Sequence, residues 1–411
     1  MLRRLLLLWL GFGVLASPAI ARVYVVAPDG NDSASGAATE PFRTISHAAG
    51  LATAGDTVRV KAGTYHERVV VTHSGEPHQP IVFTAEQVGK TILTGDTGFE
   101  PSDWAGDDDV QASTRSGWIT IRGFTFRDSN TPYLIRAAKG WRVENCEFSH
   151  TGFGVNIRGD DVRISHTVFE DINGPNAHAI VAVNSQRPLI TNVVIRRVNG
   201  NRQVADIPRS AVTKFSGTNG LVVDHLLSED NVGPGLWLDW DNQNFVVRRS
   251  VLRNNRGDHA DWEGGGLWLE ANGDARGIVS HNTFSSNTGP GIAVMESSNI
   301  RIKHNRLAGD RNCLELRNLP RGDDGKRSLG DLDIAENTCV RPSQAAILAD
   351  VGNWQGWDPE RHGIKFRDNS YQLRKGIPAF SWAGRTFLSV ADARQTFGFE
   401  TEGPAVRKEP H

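Results

Sequence analysis

One short pattern recurs along this chain, and its spacing leaves few folds open. It reads apolar-x-polar-polar-x-apolar. Copies run Val143–Phe148, Ile164–Phe169, Ile190–Ile195, Val247–Leu252, Val279–Phe284, Ile302–Leu307, Ile334–Cys339 and Phe366–Tyr371. Successive copies lie 21 to 32 residues apart, or about twice that where a weaker copy, Val223–His225, intervenes. Strands this short, separated by Asn and Gly turns, cannot form long helices. Nor can one turn bury its apolar face alone, so each must stack on the next. The spacing predicts a solenoid. One column of the repeat holds Asn282, Asn305, Asn337 and Asn369, whose amides can hydrogen-bond up a ladder at the strand spacing of roughly 4.8 Å. His166, His281 and His304 recur beside it and read as structural. Variable turn lengths imply that loops are inserted on one side, often the binding side.

A second repeat lies inside the first. Gly235-Leu236-Trp237-Leu238-Asp239 returns 31 residues later as Gly266-Leu267-Trp268-Leu269-Glu270. Alternate side chains of a strand face opposite sides. The leucines therefore point into the solenoid, and Trp237, Asp239, Trp268 and Glu270 point out. Stacking in register would make neighbours of the two tryptophans and of the two carboxylates.

The ends read differently. Arg3 and Arg4, the apolar run Leu5–Leu15 and Ala19-Ile20-Ala21 have the form of a secretory signal, so residues 1–21 are set aside and the mature chain is expected to be secreted or periplasmic. No stretch is long and apolar enough to span a membrane. Residues 22–372 are assigned to the solenoid and its N-terminal cap. The cap is a helix over Ile45–Ala54, with Thr44 as N-cap and Gly55 as its stop. Residues 373–411 are assigned to a C-terminal cap and tail: a hairpin over Phe380–Leu388, then a helix from Ser389 to Thr396 stopped by Gly398. The 45 basic and 47 acidic residues nearly balance, which favours neither nucleic acid nor an anionic membrane as partner. Three cysteines make no disulfide framework; they are small buried residues, with a Cys313–Cys339 bridge as the alternative. Asp107–Asp109 reads as a solvated loop.

The pattern resembles the right-handed parallel β-helix of the pectate lyase-like superfamily. Val23–Asn31, Pro41–Ile45 and Gly55–Tyr65 look like the opening segment of secreted polysaccharide lyases and β-helical glycoside hydrolases. The resemblance implies an all-β solenoid with a short helical N-terminal cap and a small hairpin/helix C-terminal cap. It also implies a carbohydrate-active monomer whose partner is a polysaccharide or oligosaccharide. It does not fix the chemistry.

Extending the alignment to other turns places Arg158, Lys214, Asp239, Glu270 and Arg317 in one outward column. Like charges one strand apart raise one pKa, so one carboxyl can hold a proton while the other stays ionised. Retaining glycosidases use carboxyl groups about 5–5.5 Å apart; some β-helical glycosidases acting on xylose-type glycosides place an Asp and a Glu on neighbouring turns. Asp239 then suits the nucleophile and Glu270 the acid/base. Lys214, Arg158 and Arg317 would flank the cleft, and Trp237, Trp268 and Trp262 would form aromatic walls. The loop Arg253–Gly264 sits above the site, offering His259, Asp261, Trp262 and Glu263. Asp241 either meets substrate or, with Asn242, makes the turn. The rival is a uronic-acid lyase or epimerase with Lys214 as base and Ca²⁺ held by Asp239, Asp241 and Glu270. A third reading binds exopolysaccharide without cutting it. The hydrolase reading needs no metal or cofactor, and no histidine spacing fits zinc.

Overall fold

The computed structural model describes residues 21–102, 116–174, 177–199, 212–257, 264–318, 327–350 and 362–400. The chain winds as a parallel β-helix with three strand faces per coil. The first face starts with Val23–Val26 against Thr57–Val60 and ends at Lys365–Arg367. The second runs from Gly63–Tyr65 to Ser370–Gln372. The third runs from Arg68–Val71 to Phe380–Trp382. Inward Val, Ile, Leu and Phe side chains of all three faces form one continuous core. Within it Phe126, Phe148 and Phe169 stack at centroid distances of 4.7 and 4.6 Å.

The recurring pattern is the corner between the first two faces. Its third residue turns the chain with a single left-handed conformation: Asn145, His166, Asn192, His225, Arg249, His281, His304, Glu336 and Asp368 all have φ between 50° and 58°. Asn, His and Asp tolerate that region better than β-branched residues, which accounts for the polar column and the structural histidines. The following residue turns inward. There the asparagine ladder forms as expected: Asn282 Nδ2 donates to Asn305 Oδ1, Asn305 to Asn337 and Asn337 to Asn369, each at 3.0 Å. Glu400 ends the ladder, accepting from Asn369 Nδ2 at 2.9 Å and from Tyr371 Oη at 2.7 Å.

Two further ladders occupy the other corners. Asn231, Asn255 and Asn287 link in the same way and end on Asp310, whose Oδ1 accepts from Asn287 Nδ2 at 2.8 Å. Asn242 and Asn272 form a third that ends on Ser297. Close packing at the second ladder's corner explains the glycines of the repeated phrase. A Cβ on Gly235 would sit 2.6 Å from Asn255 Nδ2, and one on Gly266 2.5 Å from the Phe284 ring.

Both caps are present. The N-terminal helix spans Ile45–Leu51 with Thr44 Oγ1 accepting from the His47 amide. It stops at Ala52, three residues short of Gly55, where the backbone turns extended. The C-terminal helix spans Val390–Phe397 between Ser389 and a left-handed Gly398. The antiparallel pair Phe380–Trp382 and Arg385–Phe387 precedes it. Cys313 and Cys339 are disulfide-bonded. Cys146 is free and buried, and burial pushes its thiol up to about 12. The expected signal segment and Asp107–Asp109 lie outside the described residues.

Candidate active site

The two copies of the repeated phrase stack on the third face in the register their leucines dictate. Leu236 pairs Leu267, Trp237 pairs Trp268, Leu238 pairs Leu269 and Asp239 pairs Glu270. The leucines belong to the solenoid core, whereas Trp237, Trp268, Ala293 and Met295 form a separate outer cluster. Asp239 and Glu270 therefore point to the outer side of adjacent coils, one strand spacing of about 4.8 Å apart along the backbone, with Glu270 buried there at 5% exposure.

Lys214 does not share their row. Phe215 pairs Leu238 and Lys214 pairs Trp237, so Lys214 stands in the tryptophan row, two residues from the expected alignment. A shift of two keeps the same side outward, so alternation cannot detect it. From there Lys214 Nζ lies 4.2 Å from the Trp237 ring centroid and reaches diagonally to Asp239 Oδ2 at 2.9 Å. Asp239 Oδ1 takes no hydrogen bond among the described residues. Asn242 Nδ2 fixes the strand end by donating to the Asp239 carbonyl at 3.1 Å.

The tryptophan pair differs from the expected wall. Trp237 is 4% and Trp268 6% exposed, and the rings meet edge to face at 6.0 Å. With Ala293 and Met295 they form one buried cluster, so they cover the outer side of the strands and offer no open platform. Arg158 stands in the row of Asp239, but Ile157, Ala182, Phe215 and Leu238 pair in succession. That puts it three coils away, about 14 Å along the axis. Arg317 is three coils beyond Asp239, next to Met295, and pairs with Glu315. Glu315 is fully buried and also takes Arg311 at 2.6 Å. Neither arginine stands on a coil adjacent to Asp239. Asp241 is held by Arg327, Nε to Oδ1 at 2.9 Å and Nη2 to Oδ2 at 2.7 Å. His259, Asp261, Trp262 and Glu263 lie outside the described residues.

One residue of this face escaped the sequence reading. Trp240, next to Asp239, is 43% exposed, and the Arg327 guanidinium lies 4.3 Å from its ring centroid. The signal was there in Asp239-Trp240-Asp241, an aromatic between two acids. Asn156 lies in the row of Lys214, between Arg136 and Val181. It is fully buried, and neither side-chain atom has a hydrogen-bond partner among the described residues.

Family models agree with this architecture. One of the right handed beta helix region matches residues 112–307, and one of the Pel9A-like right handed beta helix region matches residues 24–185. Both matches give the right-handed parallel β-helix that the structure shows. Among curated proteins it is 36% identical over 99 residues to the uncharacterized protein YwoF of Bacillus subtilis (21% of each chain covered). It is 33% identical over 87 residues to pectate lyase PEL9 of Emericella nidulans, again with 21% of each covered. The chain thus spans about a fifth of the length of the curated relatives it matches. Among solved structures, the complex of XylC with xylose aligns at TM-score 0.58 and 14% identity, with 87% of each chain covered. A mannuronic acid-specific family 6 polysaccharide lyase from human gut microbiota aligns at 0.57 and 16%, covering 95% of this chain and 92% of that one. These likenesses establish the fold.

Proposed function

We propose that this chain is an exported, monomeric glycoside hydrolase that cleaves a polysaccharide or oligosaccharide with Asp239 and Glu270. The observation that carries the reading is the in-register pair on the outer face of adjacent coils. A strand spacing of about 4.8 Å falls near the carboxyl separation of about 5–5.5 Å used by retaining enzymes. The Lys214 ammonium takes Asp239 Oδ2 and leaves Oδ1 to attack the anomeric carbon. Glu270 protonates the departing glycosidic oxygen. It then takes a proton from the water that attacks the glycosyl–Asp239 ester, which regenerates both carboxyl groups. The reaction uses no metal and no cofactor. XylC, crystallised with xylose, supports a pentose or similar neutral sugar as the kind of substrate to try first. The Cys313–Cys339 bridge suits an oxidising compartment and so supports export.

A second reading has its own support. The Pel9A-like match and the family 6 lyase favour proton abstraction beside a uronic acid carboxylate, with Lys214 as base and Ca²⁺ held by Asp239, Asp241 and Glu270. Two contacts weigh against it: Lys214 is spent on Asp239, and Asp241 on Arg327. The test is Asp239→Asn and Glu270→Gln. Each is expected to lower turnover by about 10²-fold or more with the fold kept. Full turnover in either variant overturns the hydrolase reading. Loss on chelating Ca²⁺, with Lys214→Ala the most damaging change, would establish the lyase.

A further inference from the structure

We propose that Trp240 is the aromatic platform of this site and that a neutral sugar ring of the substrate stacks on it, beside the Asp239 carboxylate. The inference rests on the reading of Asp239 and Glu270 given above and names a substrate-positioning residue for it. Trp237 and Trp268, which the sequence offers for this role, are packed away. Trp240 is 43% exposed and directly follows Asp239.

Its backbone is the second observation. Trp240 turns the corner between the third and first faces with φ 65°. On the two preceding coils the same corner is made by Asn184 and Gly217, with φ 52° and 62°. The ladder Asn184 N–H to Ser216 carbonyl, Gly217 N–H to Trp240 carbonyl and Trp240 N–H to Glu270 carbonyl confirms the alignment. Asn and Gly suit that conformation, and a bulky indole does not. The corner needs no tryptophan for its own sake, and strain of this kind gathers at functional positions.

The third observation is how the ring is held. Arg327 lies over the indole and makes two hydrogen bonds to Asp241, 86 residues away in sequence. The guanidinium fixes the indole, and Asp241 cancels the guanidinium charge. Lys214 and Asp239 cancel in the same way. A fixed aromatic ring flanked by neutralised charges suits the C–H face of an uncharged pyranose, whereas a uronate would need an unpaired cation.

The experiment uses the full chain carrying Glu270→Gln, so that binding is read without turnover and Lys214 keeps its Asp239 partner. Affinity electrophoresis through xylan, polygalacturonate and alginate is compared with and without Trp240→Asn. Asparagine suits the left-handed corner, so the melting temperature is expected to hold or rise. Affinity for the neutral polymer is expected to fall about tenfold, and Arg327→Gln is expected to weaken it in the same direction. Undiminished binding by the Trp240→Asn protein overturns the platform and leaves the Asp239–Glu270 reading standing. Preference for the acidic polymers overturns the neutral-sugar assignment. Absence of saccharide binding with or without Trp240→Asn overturns the platform and the reading beneath it together.

Discussion

Asp310→Asn should stabilise this protein above neutral pH and do little in acid. Asp310 ends the ladder of Asn231, Asn255 and Asn287 and is fully buried. Its Oδ1 accepts from the Asn287 amide at 2.9 Å and from Asn287 Nδ2 at 2.8 Å, while Oδ2 has no partner among the described residues. In the rungs below, the equivalent atom is an Nδ2 that donates to a strand carbonyl, as Asn287 does to Leu252. A protonated Asp310 can imitate that amide and an ionised one cannot. Burial accordingly pushes its pKa up to about 7, from an ordinary 3.8. Because the folded value lies above the unfolded one, the stability this group contributes is complete below about pH 4. It is lost progressively as pH rises through 7. Three units at about 1.4 kcal/mol each give an upper figure of about 4 kcal/mol lost by pH 8. For a chain of 411 residues that is roughly 5 °C in melting temperature. Asparagine should restore it, since its Nδ2 would donate where Oδ2 now points. Thermal melts of both proteins from pH 3 to pH 9 would show two curves that meet below about pH 4, separate between about pH 4 and 7 and stay apart above it. Parallel curves, or a less stable Asp310→Asn protein at pH 8, would refute the reasoning.

Other consequences are as direct. Asn305→Ala removes the acceptor of both Asn282 donors and the donor to Val279, leaving buried groups unpaired; a loss of about 3 kcal/mol is expected in denaturant melts. Asn156→Val replaces a buried amide that has no partner among the described residues and should raise stability by about 1 kcal/mol in the same assay. Reducing Cys313–Cys339, which closes a 26-residue separation, should cost roughly 3 kcal/mol, visible as a lower melting temperature with dithiothreitol. Lys214→Met leaves Asp239 without its cation and should lower kcat at least tenfold while the far-ultraviolet circular dichroism spectrum is unchanged.

The parts of this fold that were legible in the sequence are those where one local rule repeats. The left-handed corner demands a short polar residue, so Asn145, His166 and Asp368 announce it. The asparagine after that corner is then found by column. The paired phrases aligned correctly because inward leucines on both coils pin the register. Lys214 was misplaced because a slip of two leaves every side chain facing the same way. The ladder ending at Asp310 was not seen because its corner is joined by segments of uneven length, which hide the column. Burial of Trp237 and Trp268 depends on what covers the strand, and alternation carries no information about cover. The Arg327–Asp241 contact joins residues 86 apart, on segments that no repeat relates, and Trp240 owes its mount to that contact.

The central claim is that Asp239 and Glu270 hydrolyse a glycosidic bond. The most direct measurement incubates the mature chain and its Asp239→Asn form with neutral and uronic-acid polysaccharides, with and without EDTA. It follows reducing ends together with the ultraviolet absorbance of an unsaturated product. The account predicts reducing ends from a neutral substrate, no new absorbance, indifference to EDTA and loss in Asp239→Asn. Absorbance that appears and is abolished by EDTA would contradict it and make the protein a lyase; polymer binding with no product from either protein would contradict it and leave a binding protein.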